Sequence, residues 1–223
     1  MKPGDFFVGV VDFFSALLPG ALATWLVLQY VDPADLARWS LETDSDFVRG
    51  GAILLSSYIL GHFAVAVGGS LDDVYDRWRQ RNHPKESDLA YKAAVDLRKR
   101  LSPEFGDNTA VGAFSIFKWA RAYVTIHAPQ ARSEIDALEA NSKFFRTLVV
   151  VFALVTAHFL IREQRLGIAA ASAVLAFLSF RRFCDQRWKL TELSFATAVI
   201  LHGTKLSPDK PPASIPGSVP KRA

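Results

Sequence analysis

Apolar and charged positions segregate along this chain into long blocks rather than alternating at short range. Four stretches are almost wholly apolar: residues 6–30, 51–71, 144–161 and 166–180. A helix needs roughly 20 apolar residues to cross the ~30 Å hydrocarbon core of a bilayer, and the first two blocks have that length. The third has no polar stripe at helical spacing, as a helix half-buried in a soluble bundle would. The fourth is short, but Arg181 and Arg182 at its end can snorkel and extend its reach. The pattern predicts an all-α polytopic membrane protein with four transmembrane helices in two hairpins. The competing reading has three spans or fewer, with the last two blocks forming a buried hairpin in a soluble bundle. Within the first block, Pro19 removes one backbone hydrogen bond and predicts a kink.

The segments between the blocks are also helical in pattern, and no sustained period-two alternation points to a strand. Ser70-Leu71-Asp72-Asp73 reads as a helix start of the capping-box kind, with Asp73 in the place of the usual Glu. That helix stops near Asn82-His83-Pro84. Ser87 would cap a second helix over residues 88–101, ended by Ser102-Pro103. A third would cover residues 109–127, with Ala113, Phe117, Ala120, Val124 and His127 near one face and Pro129 ending it. From Gln130 the helical pattern enters the third block without a breaker. The fourth block likewise continues past Phe180 to Leu201, with an apolar stripe at Leu190, Leu193, Ala196, Val199 and Ile200. Two long helices are therefore expected to leave the membrane and carry the shorter ones. The chain divides into a first transmembrane hairpin (1–71) with an acidic external loop (31–50), a helical cytoplasmic domain (72–143), a second hairpin with its helical extension (144–204) and a Pro-rich tail (205–223) expected to be disordered.

Composition and charge sharpen this picture. Half of the 223 residues are hydrophobic, yet the charged fraction is an ordinary 22%. Lys and Arg concentrate between Arg77 and Arg146 and after Phe180, whereas the loop between the first two blocks carries Asp32, Asp35, Glu42, Asp44 and Asp46. The positive-inside rule then puts both termini in the cytoplasm, most simply at a bacterial inner membrane. A cleaved signal peptide ending at Ala21-Leu22-Ala23 is disfavoured, because Asp12 interrupts its apolar core and the apolar run continues to Tyr30. The single cysteine, Cys184, excludes an internal disulfide and a cysteine-cluster metal site.

Candidate chemistry is sparse. Asp12 lies within the first block, where a carboxylate at mid-membrane costs ~2.5–3.5 kcal/mol and seeks water or a partner. His62 lies near the middle of the second block at a comparable depth, with Ser57 about one turn away. The three would form an acid–base group if the helices bring them together. His158, beside Arg162, reads as an interfacial residue, and Gly61 and Gly68 mark either a close helix contact or a hinge. Arg77, Arg79 and Arg81 follow the second block, and Arg181, Arg182, Arg187 and Lys189 follow the fourth. Their placement with Trp78 and Trp188 reads as anchoring to anionic headgroups.

No nucleotide, zinc or nucleophile-elbow motif is present, no cofactor is expected, and nothing argues for nucleic acid. The reading this supports first is a non-enzymatic membrane protein responding to a signal or partner, or an oligomeric effector. A small channel or transporter lined by Asp12 and His62 is the second reading. An intramembrane lipid-modifying enzyme using Asp12, His62 and Ser57 is the third.

Overall fold

A computed structural model describes residues 3–35, 45–84, 88–101 and 115–206, with the side chains of residues 3–12, 14 and 204–206 left aside. Every regular element among the described residues is a helix. In chain order these are α1 (Pro3–Leu28), α2 (Asp46–Gly68), α3 (Leu71–Asn82), α4 (Leu89–Leu101), α5 (Ile116–His127), α6 (Pro129–Ile161) and α7 (Leu166–Leu206). Three are long and apolar enough to cross a membrane: Asp46–Gly68, Pro129–Ile161 and Leu166–Gly203. In α1 the described apolar stretch is Ser15–Leu28, which is shorter than a full span.

The frame is an antiparallel pair of very long helices. At 1.5 Å per residue, the 33 residues of α6 reach ~50 Å and the 41 of α7 reach ~62 Å, well beyond a ~30 Å hydrocarbon layer. They are joined by a tight turn at 162–165, in which Gln164 takes a left-handed φ of 50° and the Arg165 amide donates to the Phe159 carbonyl. After Pro129, whose ring occupies the first turn of α6, where its missing N–H costs nothing, α6 holds neither Gly nor Pro, and the glycines of α7, Gly167 and Gly203, lie only in its first and last turns.

Three cores are strung along this frame. At the end near the turn, α1 and α2 pack on α6, and α6 on α7, around Ala23, Leu26, Ala64, Val151, Val155, Phe159 and Ala169. The outward surface of this layer is apolar: Leu54, Leu55, Phe63, Val174 and Phe177 are all exposed, as helices surrounded by lipid require. At the far end, α4 and α5 pack on the polar halves of α6 and α7 around Ala94, Ala120, Val124, Ile135, Leu190 and Phe195. Between them α3 lies on a small aromatic core of Tyr75, Phe183 and Cys184, flanked by Trp78, Phe145 and Phe180.

Several local expectations shift. Ser70 does not cap α3. It is itself helical, and its hydroxyl donates back to the Val67 carbonyl at 2.8 Å, because α2 passes into α3 through Gly69 with only a slight break. The cap of α4 is Asp88, whose carboxylate accepts from the Tyr91 amide at 2.9 Å; Ser87 lies outside the described residues. On α5 the described helix begins at Ile116, capped by Ser115, and His127 is exposed rather than on the buried face. The buried face of α7 runs through Leu190, Ser194, Phe195 and Ala198, and Ile200 points outward. Ser194 can sit inside because its hydroxyl bonds the Leu190 carbonyl at 2.7 Å. Pro19 is fully buried within a continuous α1. Residues 205 and 206, expected to begin the disordered tail, are the last residues of α7, and residues 207–223 and residues 36–44 of the acidic loop lie outside the described residues.

Candidate functional site

The polar residues expected within the membrane layer do not converge on one site. Helices α1 and α2 cross at near-backbone contact. A Cβ on Gly61 would sit 2.8 Å from the Ala16 carbonyl carbon, and one on Gly20 would sit 2.7 Å from the Gly61 amide nitrogen and run into the Ser57 carbonyl oxygen. Ala16 and Gly20 are spaced by four, as are Ser57 and Gly61. The crossing is thus a small-xxx-small contact on both helices, a spacing in the sequence that the Gly61–Gly68 reading passes over. Ser57 is 1% exposed and its hydroxyl donates to Thr24 at 3.1 Å across the crossing. Its one donor is therefore committed to holding the two helices together.

His62 lies one residue beyond Gly61 and points the other way. It is exposed on the outer face of α2, with its ring edge-on to Tyr58 at 4.5 Å, and Tyr58 in turn stacks on Phe13 of α1 at 5.5 Å. Tyr58, Ile59, His62, Phe63 and Ala66 line a shallow outward groove of about 370 Å³. Asp12 lies on α1 one turn before Ala16, but its side chain is outside the described residues. Gly68 marks a different contact: a Cβ there would lie 3.2 Å from the Arg146 side chain.

A polar cluster that the sequence reading missed closes the end near the turn. The His158 ring is 6% exposed, and Nδ1 is 2.8 Å from the hydroxyl of Tyr30, just past the end of α1. On its other side Nε2 is 3.4 Å from a Glu163 carboxylate oxygen, close enough for an ion pair but poorly aligned for a hydrogen bond. Glu163 also pairs with Arg165 at 3.0 Å, and the Arg162 guanidinium lies over the Tyr30 ring. The signal present in the sequence was only that Tyr30 ends one apolar block and His158 lies near the end of another.

The basic residues at the opposite end of the apolar layer divide into two groups. Arg79 is turned inward: its guanidinium pairs with Asp88 at 3.4 Å and lies over Trp188, against which His83 stacks at 4.2 Å. With a side chain 13% exposed, it ties α3 to α4 and α7. Arg146 donates from a single Nη1 to both carboxylate oxygens of Asp72, at 3.0 and 3.1 Å, fixing the start of α3 on α6. Arg77, Arg81, Arg181, Arg182 and Lys189 remain on the surface, Arg182 over the Phe145 ring at 6.0 Å, and Arg187 is half-buried. Tyr75, beneath α3, is 3% exposed, and burial pushes its hydroxyl up to about 12 against the opposing pull of the Arg79 and Arg187 charges. That hydroxyl faces Thr191, whose own O–H donates to the Arg187 carbonyl, and it is left without an aligned partner.

Among the described residues, no three His, Cys, Asp or Glu side chains cluster in a way that could hold a metal ion. Comparison of the chain with protein-family models, with curated proteins and with solved structures returns no match.

Proposed function

We propose that this chain is a four-span protein of the bacterial inner membrane, with both termini cytoplasmic, whose cytoplasmic helices receive a signal or a protein partner and pass it to the spans. The observation that carries this reading is the continuity of α6 and α7: the same two helices form part of the membrane-layer core and of the distal core 16 to 29 residues away along each helix. A helix pair packed along its length transmits a displacement of α4 or α5 to α1 and α2 with no hinge in between. Helix α1 is the fourth span in this proposal; its 26 residues would give ~39 Å of helix.

The partner proposed within the bilayer is a second copy of the chain. An exposed His62 in an otherwise apolar lipid-facing groove is costly unless a neighbouring helix offers it a partner. The anionic headgroups of the inner leaflet are the counterpart of the surface arginines. A catalytic or transport role for Asp12, His62 and Ser57 gains no support from a Ser57 engaged with Thr24 and a His62 facing outward.

Two experiments test the reading. Dual periplasmic–cytoplasmic reporters after Ser40, Asn108, Gln164 and Ala223 should read outside, inside, outside and inside; four cytoplasmic readings would end the membrane proposal. For the coupling, Ala120, fully buried in the distal core, is replaced by Asp. Hydrogen exchange should then quicken in α1 and α2 as well as in α4 and α5. Faster exchange confined to α4 and α5 would show that the two layers are independent.

A further inference from the structure

On the outer side of α3, a groove of about 520 Å³ runs between that helix and the end of the apolar half of α7, lined by Val74, Arg77, Trp78, Arg81, Asn82 and Phe180. Its chemistry is two-sided. Arg77 and Arg81, one turn apart on α3, put two guanidinium groups on its rim beside the Asn82 amide, and both are exposed. Neither makes an ion pair among the described residues, in contrast to Arg79 on the same helix, which is consumed by Asp88 and Trp188. Arg77 uses only its Nε, donating to the Asp73 carbonyl at 3.3 Å. The Asn82 amide donates to the Trp78 carbonyl at 2.9 Å, which sets the rim in place.

The rest of the groove is apolar, lined by Val74, Trp78 and Phe180. Phe177, three residues earlier on α7 and so only about 60° round the helix from Phe180, is 60% exposed. A fixed pair of unpaired cations therefore tops an apolar track leading down the surface of a membrane-layer helix. The Arg146–Asp72 contact and the His83–Trp188 stack hold α3 rigidly beside that track, so the rim is built before any ligand arrives.

We propose that this groove binds one anionic phospholipid, the phosphodiester accepted by Arg77 and Arg81 and an acyl chain laid along Phe180 and Phe177. Arginine suits a phosphodiester because its planar fork presents parallel N–H donors to two phosphate oxygens. Charge complementarity selects an anionic headgroup, and the apolar track selects a lipid over a free phosphate. The site rests on the membrane reading above, and gives its cytoplasmic layer a way to sense the composition of the inner leaflet.

The test uses the full chain purified in a zwitterionic detergent, titrated with phosphatidylglycerol and followed by native mass spectrometry. At about fivefold per basic residue, R77Q/R81Q should weaken phosphatidylglycerol binding roughly thirtyfold. K99Q/R100Q, an equal loss of charge at exposed positions on α4, should leave it unchanged, and R77K/R81K, which keeps the charge, should retain most of it. Equal binding of phosphatidylcholine, no loss in R77Q/R81Q, or displacement of the lipid by inorganic phosphate alone would each overturn the proposal. Binding in micelles does not depend on topology, so a failed groove leaves the reporter result standing, and a failed topology is seen separately.

Discussion

The hydroxyl of Tyr30 and Nδ1 of His158, separated by 128 positions in sequence, lie 2.8 Å apart and join the end of α1 to the last turn of α6. With the edge-on ring contact between them, this is a polar tie between α1 and α6 at the end near the 162–165 turn. A hydrogen bond of this kind, here only partly buried, contributes ~1 kcal/mol net. We therefore expect Tyr30→Phe and His158→Ala each to lower stability in detergent, with His158→Ala the larger effect because it also removes the contact with Glu163. The double variant should lose about 1 kcal/mol less than the sum of the two. Strict additivity in thermal melts would show that the two residues act separately.

The crossing of α1 and α2 depends on the lack of side chains at Gly20 and Gly61. Gly→Ala in a helix ordinarily stabilises by up to ~1 kcal/mol. Here an added methyl meets backbone, which cannot turn aside as a flexible side chain can. Gly20→Ala and Gly61→Ala are expected to cost about 1–3 kcal/mol through overpacking. Gly167→Ala, where a Cβ meets nothing within 4 Å, should be neutral or mildly stabilising. Unfolding midpoints of the three variants check this, and a stabilised Gly61→Ala would refute the close crossing.

Burial of Tyr75 gives the junction a pH dependence. Its hydroxyl titrates at about 12 against an ordinary 10.0. A raised folded-state value means that the neutral form is favoured by folding. The contribution is complete below pH 10 and is lost as the pH rises from 10 through about 12. We expect one tyrosine to titrate late in absorbance at alkaline pH, and Tyr75→Phe to flatten the fall of stability over that interval. Identical alkaline curves for the variant and the parent chain would contradict this.

If a second copy covers the outer face of α2, then removing the polar group there should change assembly rather than folding. His62→Leu is expected to weaken association in detergent, read by crosslinking or sedimentation, while leaving the melting temperature within a few degrees. His158→Ala, on the buried side of the layer, should do the opposite. Unaltered association in His62→Leu would remove the second copy from that face.

Much of the architecture was legible in the sequence because it rests on local causes. Apolar blocks long enough to span a bilayer, the lack of Gly or Pro between Pro129 and Ile161, and the stops at Asn82-His83-Pro84 and Pro129 depend only on composition and backbone chemistry. They mark out the helix pattern and the two long helices without knowledge of any neighbour. The rotation of each helix about its axis was not legible. A helix that is apolar on every side has no stripe to orient it, so although a spacing of five puts Ser57 and His62 about 140° apart, which of them faces inward was open until the crossing at Gly61 fixed the rotation of α2.

The same holds for the arginines: Arg77, Arg79 and Arg81 look equivalent in sequence, and only the position of Asp88 and Trp188 turns Arg79 inward and leaves the other two on the groove. The tie between Tyr30 and His158 joins segments whose separation no local pattern can bridge. The sequence by itself determined which segments are helices and which of them are apolar enough for a bilayer, because both properties add up residue by residue along the chain. Tertiary packing decided which polar side chains meet, because a helix presents its residues according to a rotation that only its neighbours can set.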